Sequence, residues 1–255
     1  MNVTELYGFL SDRIPASLSC DWDNDGLMCC PDESREIHKV LVALDITAAV
    51  VEKALAEGYD LILSHHPLIF SPIRAVNPRD HIARRVIALI RGGVTAMSFH
   101  TRLDAVTGGV NDILAANLGL CDVVPFGENG EEIGRIGSLK TPMSLADFAR
   151  LVKDATKAEQ VQFVSAGRDV SRVAVLGGSG SSDVKAAARA GADTYVSGEL
   201  KHSSMTDAPE CGMNLIAAGH FYTENAVCEH MRDLVLEAIP DATVTVINSD
   251  PVRYI

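Results

Sequence analysis

His65 and His66 stand side by side where the apolar run of residues 60–64 ends, in the string DLILSHHPLIF. Neighbouring side chains diverge, so an adjacent pair suits two neighbouring metal ions, which in two-metal sites lie roughly 3.5–4 Å apart. Pro67 follows at once, which keeps a regular helix from starting and restricts the backbone of His66. Two further strings pair an imidazole with a carboxylate four residues on: His100 with Asp104 in HTRLD, and His220 with Glu224 in HFYTE. Where such a string is helical, residues four apart share a face. Imidazole with carboxylate is a donor set for zinc, iron, manganese or nickel. A carboxylate has two oxygens and can bridge two cations, which makes Asp104 and Glu224 the natural bridging candidates. Taken alone, each string has a blander reading, as a hydrogen-bonded histidine at a strand end or an ion pair on a helix surface. Three such strings, each after an apolar run, point to a metal site. His38, His81 and His230 lie in polar contexts and read as ordinary surface histidines.

Strand ends must position these residues, and the chain supplies them twice. KVLVALD (39–45) and RVAVLGG (172–178) are short apolar runs after a cation, suited to buried parallel strands. A helical stretch follows each, residues 48–57 and 182–190, and then come GYDLILS (58–64) and GADTYVS (191–197). The two copies align without a gap from residue 39 to residue 64, at a constant offset of 133 (172 − 39). GVTAMSFH (93–100) lies against GMNLIAAGH (212–220) at a shorter offset. Strand, helix, strand, connector, strand and helix in each copy argue for an α/β fold of two related halves with a largely parallel sheet. In such sheets ligands bind beyond the carboxyl ends of the strands. Residues 125–134, rich in Gly and Glu, read as a linker or surface loop. Ser144 caps a helix over 145–155, with Asp147 at its third position. The chain is thus expected to divide into residues 1–125 and 126–255, with the C-terminal helix packing back on the first half.

The chain has 255 residues, 47% of them hydrophobic and 22% charged, the composition of a soluble globular protein. No apolar run approaches the roughly 18–20 residues that span a bilayer. The opening MNVTELYGFLSDRI has neither the basic stretch nor the apolar core of a signal peptide, so a cytoplasmic location is expected. The six cysteines form no CxxC pair and suit a reducing compartment. The net charge of −12, with no cluster of Lys and Arg, disfavours nucleic acid as a partner and helps draw cations to a carboxylate site.

SHHPLIF, FHTRLD, SGELKH, GHFYTE and the early CDWDNDGL together resemble the Nif-three-like family of dinuclear metal proteins, known as type-two GTP cyclohydrolase I homologues. The resemblance runs from about residue 22 to about residue 224. It implies two similar α/β domains with a pair of divalent metal ions in the cleft between them, and a ring-like homohexamer. Motif by motif it assigns the ligands to His65, His66, Asp104, His220 and Glu224, and it makes His100 and His202 residues that line the site. Arg102 departs from the family pattern, in which a neutral side chain is common at that position. A charge there is expected to suit an anionic substrate. The run 28–30, Met-Cys-Cys, replaces a Gly-rich continuation of the early motif.

What the resemblance implies is a metal-dependent hydrolase acting on a small molecule, a nucleotide or another anionic heterocycle. Two cations would lower the pKa of a bridging water to give hydroxide, with His100 or His202 as general acid or base. The rival reading is a metal-binding or metal-delivery protein, or a regulatory interaction protein, without turnover. The string GGSGSS (177–182) follows a strand and opens a helix. It reads either as an anion-holding loop or as a tight turn, and it lacks the ending of a phosphate-binding Walker loop.

Overall fold

The apolar runs become strands buried on both faces, and the polar or glycine residues that follow them become the loops of the site. A computed structural model describes residues 1–128 and 130–253. The chain forms two compact units, one of Met1–Leu103 with Val227–Arg253 and one of Asp104–Ala226.

The first unit opens with helix α1 (Val3–Arg13), whose start is closed by a capping box between Asn2 and Glu5. Strand β1 (Gly26–Cys29) precedes β2 (Lys39–Ala43), helix α2 (Ala48–Ala56), β3 (Leu61–Ser64), α3 (His81–Gly92) and β4 (Thr95–Ser98). Val40, Leu41, Val42, Leu61, Ile62 and Leu63 are at most 1% exposed. Each such side chain contributes on the order of 1.5–3 kcal/mol by leaving water. Helix α3 is stopped by Gly93, which takes the left-handed conformation. The chain crosses to the second unit inside α4 (Thr101–Ala105).

The second unit holds α5 (Val110–Asn117), β5 (Cys121–Glu128), β6 (Glu131–Met143), α6 (Leu145–Thr156), β7 (Gln162–Val164), β8 (Val170–Ser179), α7 (Val184–Arg189), β9 (Thr194–Glu199), α8 (His202–Asp207), β10 (Asn214–Ala217) and α9 (His220–Glu224). Its six strands lie in the order β5-β6-β8-β9-β10-β7, with β8, β9 and β10 parallel and the flanking strands antiparallel. Helix α6 is capped by Ser144, as the sequence indicates. Residues 125–134 are not a linker. Phe126 pairs with Gly134 and Pro125 with Arg135 just beyond the segment, so it is mostly an antiparallel pair of strands; Asn129 lies outside the described residues. Glycine is needed at 134 because a Cβ there would run into the Phe126 ring. The Gly content that reads as a loop reflects close strand packing.

Helix α10 (Val227–Ala238) and strand β11 (Thr243–Val246) return to the first unit, where β11 pairs in parallel with β2. The first sheet therefore runs β1-β4-β3-β2-β11. The expected division near residue 125 thus differs from the observed one, because the C-terminal strand completes a sheet begun at residue 26.

Each unit carries the same hydrogen-bonding device. In the first, the Asp60 carboxylate accepts from His38 N and Lys39 N, both at 2.9 Å, and Asp60 N donates to Lys39 O. In the second, Asp193 accepts from Ser171 N and Arg172 N at 3.0 and 2.7 Å, and its own N donates to Arg172 O. Burial would raise the Asp60 carboxyl, but these N–H groups and the Arg35 guanidinium hold it below the usual carboxylate range.

Among the described residues no helix is long and apolar enough to cross a membrane. Cys20, Cys29 and Cys228 are buried while Cys211 is exposed. Burial, with the neighbouring Cys30, pushes the Cys29 thiol up to about 11. At pH 8 roughly one Cys29 in a thousand is then thiolate, the form that reacts. Mass-spectrometric mapping after brief alkylation of the native protein should find Cys211 modified well before Cys29.

Candidate metal centre

In the first unit the loops after three adjacent parallel strands carry the chemistry: Asp45 beyond β2, His65 and His66 beyond β3, and His100 beyond β4. His66 N donates to Leu44 O and Phe99 N to Ser64 O, both of which hold the strand ends in step. One ligand atom from each of His65, His66 and His100 lies within 4.8 Å of the other two. Ring centroids are 4.9 Å apart for His65–His66, 5.2 Å for His65–His100 and 5.6 Å for His66–His100.

All three rings are held by Nδ1. His65 Nδ1 lies 2.9 Å from Phe99 O, His66 Nδ1 2.8 Å from Asp45 Oδ1, and His100 Nδ1 2.8 Å from Asp23 Oδ1. A carbonyl or carboxylate acceptor fixes the proton on Nδ1, which leaves Nε2 as the basic nitrogen and sets the ring's orientation. The Asp23 carboxylate also accepts from Thr101 N and Thr101 Oγ1, at 3.0 and 2.7 Å. Burial alone would raise the Asp23 carboxyl, but the hydrogen bonds from His100 and Thr101 hold it well below the ordinary carboxylate range. Asp23 is therefore charged, and strengthens His100 as a donor.

Arg102 does not present its charge to a substrate. It is 1% exposed, and its Nε donates to Asp25 Oδ2 at 3.0 Å and its Nη1 to Ile14 O at 3.3 Å. The guanidinium carbon lies 4.3 Å from the centre of the Phe99 ring. The expectation of an exposed cation fails because Asp25, 77 residues away in sequence, neutralises it inside the first unit. Asp25 Oδ2 also accepts from His100 N at 3.0 Å, so this ion pair supports the loop that carries the imidazole.

In the second unit, Asp104 and Glu224 are buried, 9% and 4% exposed, and a carboxylate oxygen of one lies within 4.8 Å of one of the other. His220 Nε2 is 3.2 Å from Glu224 Oε2, and its Nδ1 is 3.2 Å from Glu199 Oε1. Two like charges buried this close are strongly disfavoured unless a proton or a cation is shared with them. The donor sets suit a divalent ion: imidazoles held through Nδ1 in one unit, and buried carboxylates with an imidazole in the other.

The last residues of β8 make room for this second set. Gly178 has φ +66°, and a Cβ on it would collide with Glu224 Oε1 and stand 3.0 Å from His220 Nε2. The N–H groups of Gly177 and Gly178 donate to Asn111 Oδ1 and Thr223 Oγ1, at 2.8 and 3.1 Å. Of the two readings of residues 177–182, the structure therefore supports the tight turn. Gly178→Ala should cost metal as well as stability. Gly58 is the control, because it has φ +68° and a Cβ there would meet nothing within 4 Å. Both variants bear the strain of a left-handed Ala, about 1 kcal/mol. Only Gly178→Ala should lower metal content, read by elemental analysis; equal metal in both variants would dismiss the role of crowding.

The Duf34/NIF3 (NGG1p interacting factor 3) family model matches residues 1–252. The chain belongs to the Duf34/NIF3 family. A relative from Clostridium perfringens, named GTP cyclohydrolase 1 type 2 homolog, is 29% identical with both chains fully covered. A relative of the same name from Nostoc is 35% identical over 83% of this chain and 81% of its own. The crystal structure of a Staphylococcus aureus protein aligns with a TM-score of 0.88 at 28% identity, covering 100% of this chain and 99% of that one.

Within this Duf34/NIF3 chain, His65, His66 and His100 lie in one group of the first unit that could hold a metal ion. In the second unit Glu224 lies near Asp104 and beside His220. His202 is exposed at the start of α8 and belongs to none of the donor groups found among the described residues. Sequence reasoning missed Asp23, Asp45 and Glu199, which hold the imidazoles of His100, His66 and His220. The available signal is an acid at a strand end or beside a motif, in KVLVALD, CDWDNDGL and SGELKH.

Proposed function

We propose that this protein is a metal-dependent hydrolase in which His65, His66, Asp104, His220 and Glu224 hold two divalent ions, of zinc, iron, manganese or nickel. The observation that carries the reading is the first unit's imidazole trio, every ring held through Nδ1 and every ring offering a nitrogen to the same small volume. Bound divalent cations would lower the pKa of a coordinated water and stabilise negative charge developing on the substrate. The chain's own residues do the rest. Asp104 and Glu224 supply the negative charge that balances the cations, and Asp45 and Glu199 orient His66 and His220. His100, its Nδ1 proton held by the charged Asp23, has Nε2 to accept a proton from the reacting group. His202, exposed to solvent, is the candidate for returning one.

A small anionic heterocycle, a nucleotide among them, is the substrate class favoured by analogy with the names of the Clostridium and Nostoc relatives. The recurring Asp60 and Asp193 devices, 133 residues apart, support reading the two units as copies of one α/β module. A ring-like homohexamer in the cytoplasm is part of the same reading, and sedimentation of the purified protein checks the assembly.

Two ions per chain should be found by elemental analysis after metal reconstitution; a stoichiometry that stays at one would refute the pair. Activity is tested on a panel of phosphoesters, nucleotides and cyclic amides. Turnover that chelator abolishes and metal restores supports the hydrolase. Rapid ion exchange with no turnover on any member would make the protein a metal carrier instead.

A further inference from the structure

Trp22 is the chain's single tryptophan and is 55% exposed, and Phe70 beside it is 51% exposed. Their rings meet edge to face with centroids 6.2 Å apart, and both stand edge-on to the His100 imidazole, at 6.2 and 6.1 Å. Large aromatic side chains left in water together mark a binding surface more often than a packing fault.

The backbone around these rings is tightly held although the rings are not. Asp23, next to Trp22, accepts from His100 Nδ1, Thr101 N and Thr101 Oγ1. Cys20 N donates to Thr101 Oγ1 at 2.9 Å. Asn24 Nδ2 donates to Ile69 O, one residue before Phe70. These bonds tie the segments that carry the two rings to each other and to His100. The surface is ordered before any ligand arrives, which removes much of the entropy cost of binding there.

We propose that Trp22 and Phe70 form the seat of a planar heteroaromatic ring, held with its edge toward His100. The proposal rests on the hydrolase reading and narrows its substrate to a compound with a nucleobase-like ring, as against aliphatic cyclic amides or simple phosphoesters. Aromatic rings pack at centroid separations of about 4.5–7 Å, the spacing already present among Trp22, Phe70 and His100. A nucleobase-like ring adds ring heteroatoms that can hydrogen-bond to the imidazole, and unlike an aliphatic cyclic amide it has an aromatic face and edge to pack against the two side chains. A second copy of the chain is a poorer occupant, since two side chains supply little of the roughly 800 Å² per partner that a stable interface buries.

Because the chain has one tryptophan, its emission reads this seat directly. Metal-loaded and metal-free protein are titrated with adenosine, guanosine and GTP, and with ribose 5-phosphate as the ring-free control, correcting for absorbance with free tryptophan derivative. A saturable change with the nucleosides and GTP, absent with ribose 5-phosphate, is expected. Phe70→Ala should weaken binding by roughly tenfold or more, and Phe70→Tyr should restore it. Silence with every nucleobase, an equal response to ribose 5-phosphate, or wild-type binding by Phe70→Ala would overturn the proposal. A Phe70→Ala protein that changes sedimentation while keeping its nucleoside response would assign the rings to an interface between copies, and so overturn it too. Turnover of an aliphatic cyclic amide with a silent Trp22 would sink the seat and spare the hydrolase. A saturable nucleobase response without any turnover would do the reverse.

Discussion

Replacing Glu224 by Gln should strip at least one of the two proposed ions from the purified protein. The side chain is buried, and its oxygens lie beside His220 and near Asp104. Gln keeps the shape and one oxygen donor but removes the negative charge. Losing a residue that only orients a ligand costs about 10–100-fold in metal affinity, so losing a carboxylate proposed to hold the ions directly should cost more than roughly 100-fold. His202→Gln is the comparison, at an exposed histidine outside the donor groups. Its metal content should match that of the parent chain, with any loss confined to turnover. Elemental analysis of both variants decides the matter. A His202→Gln protein that loses metal while Glu224→Gln keeps both ions would reverse the roles assigned to them.

The second large effect concerns stability. Arg102→Met should destabilise the chain by about 3–5 kcal/mol, the usual cost of leaving one member of a buried ion pair unpaired. Its partner Asp25 is also buried, with a side chain only 6% exposed. At about 2–4 °C per kcal/mol for a chain of this size, the thermal midpoint should fall by roughly 10 °C. Arg102→Lys should fall between, since it keeps the charge but not the planar fork that reaches Asp25 and Ile14 O together. Combining Arg102→Met with Asp25→Leu should recover part of the loss if the unpaired charge is the cause. An unchanged midpoint for Arg102→Met would show that the pair supports nothing.

The strands and the residues at their ends were legible because both are local. KVLVALD and DLILSHH carry buried strands and the start of a loop within a few residues, and the offset of 133 needs only a self-comparison. What was not legible depends on partners far apart in the chain. Asp23 meets His100 across 77 residues, and Asp25 meets Arg102 across the same distance, so no local pattern distinguishes a buried, neutralised Arg102 from one facing a ligand. Gly178 reads as a turn residue in GGSGSS, whereas its lack of a side chain matters because Glu224 and His220 come from 46 and 42 residues further on (224 − 178 and 220 − 178). The hairpin in residues 121–143 was obscured by its own composition. Gly and Glu are common in loops, and the Phe126 ring that demands Gly134 lies on the opposite strand.

The return of β11 to pair with β2 also sets a timetable for synthesis. The second unit is one continuous stretch, Asp104–Ala226, so the emerging polypeptide has all of it available before the first unit can be finished. Domains tend to fold as units while the ribosome is still at work, the earliest-made first. Here the earliest-made residues must wait. Strand β2 keeps a bare edge until residues 243–246 have emerged, some 200 positions later (243 − 43). An uncovered edge is the kind that recruits foreign strands. The nascent chain should therefore depend on chaperones most during that interval, and truncation before residue 243 should favour aggregation over a stable, shortened protein.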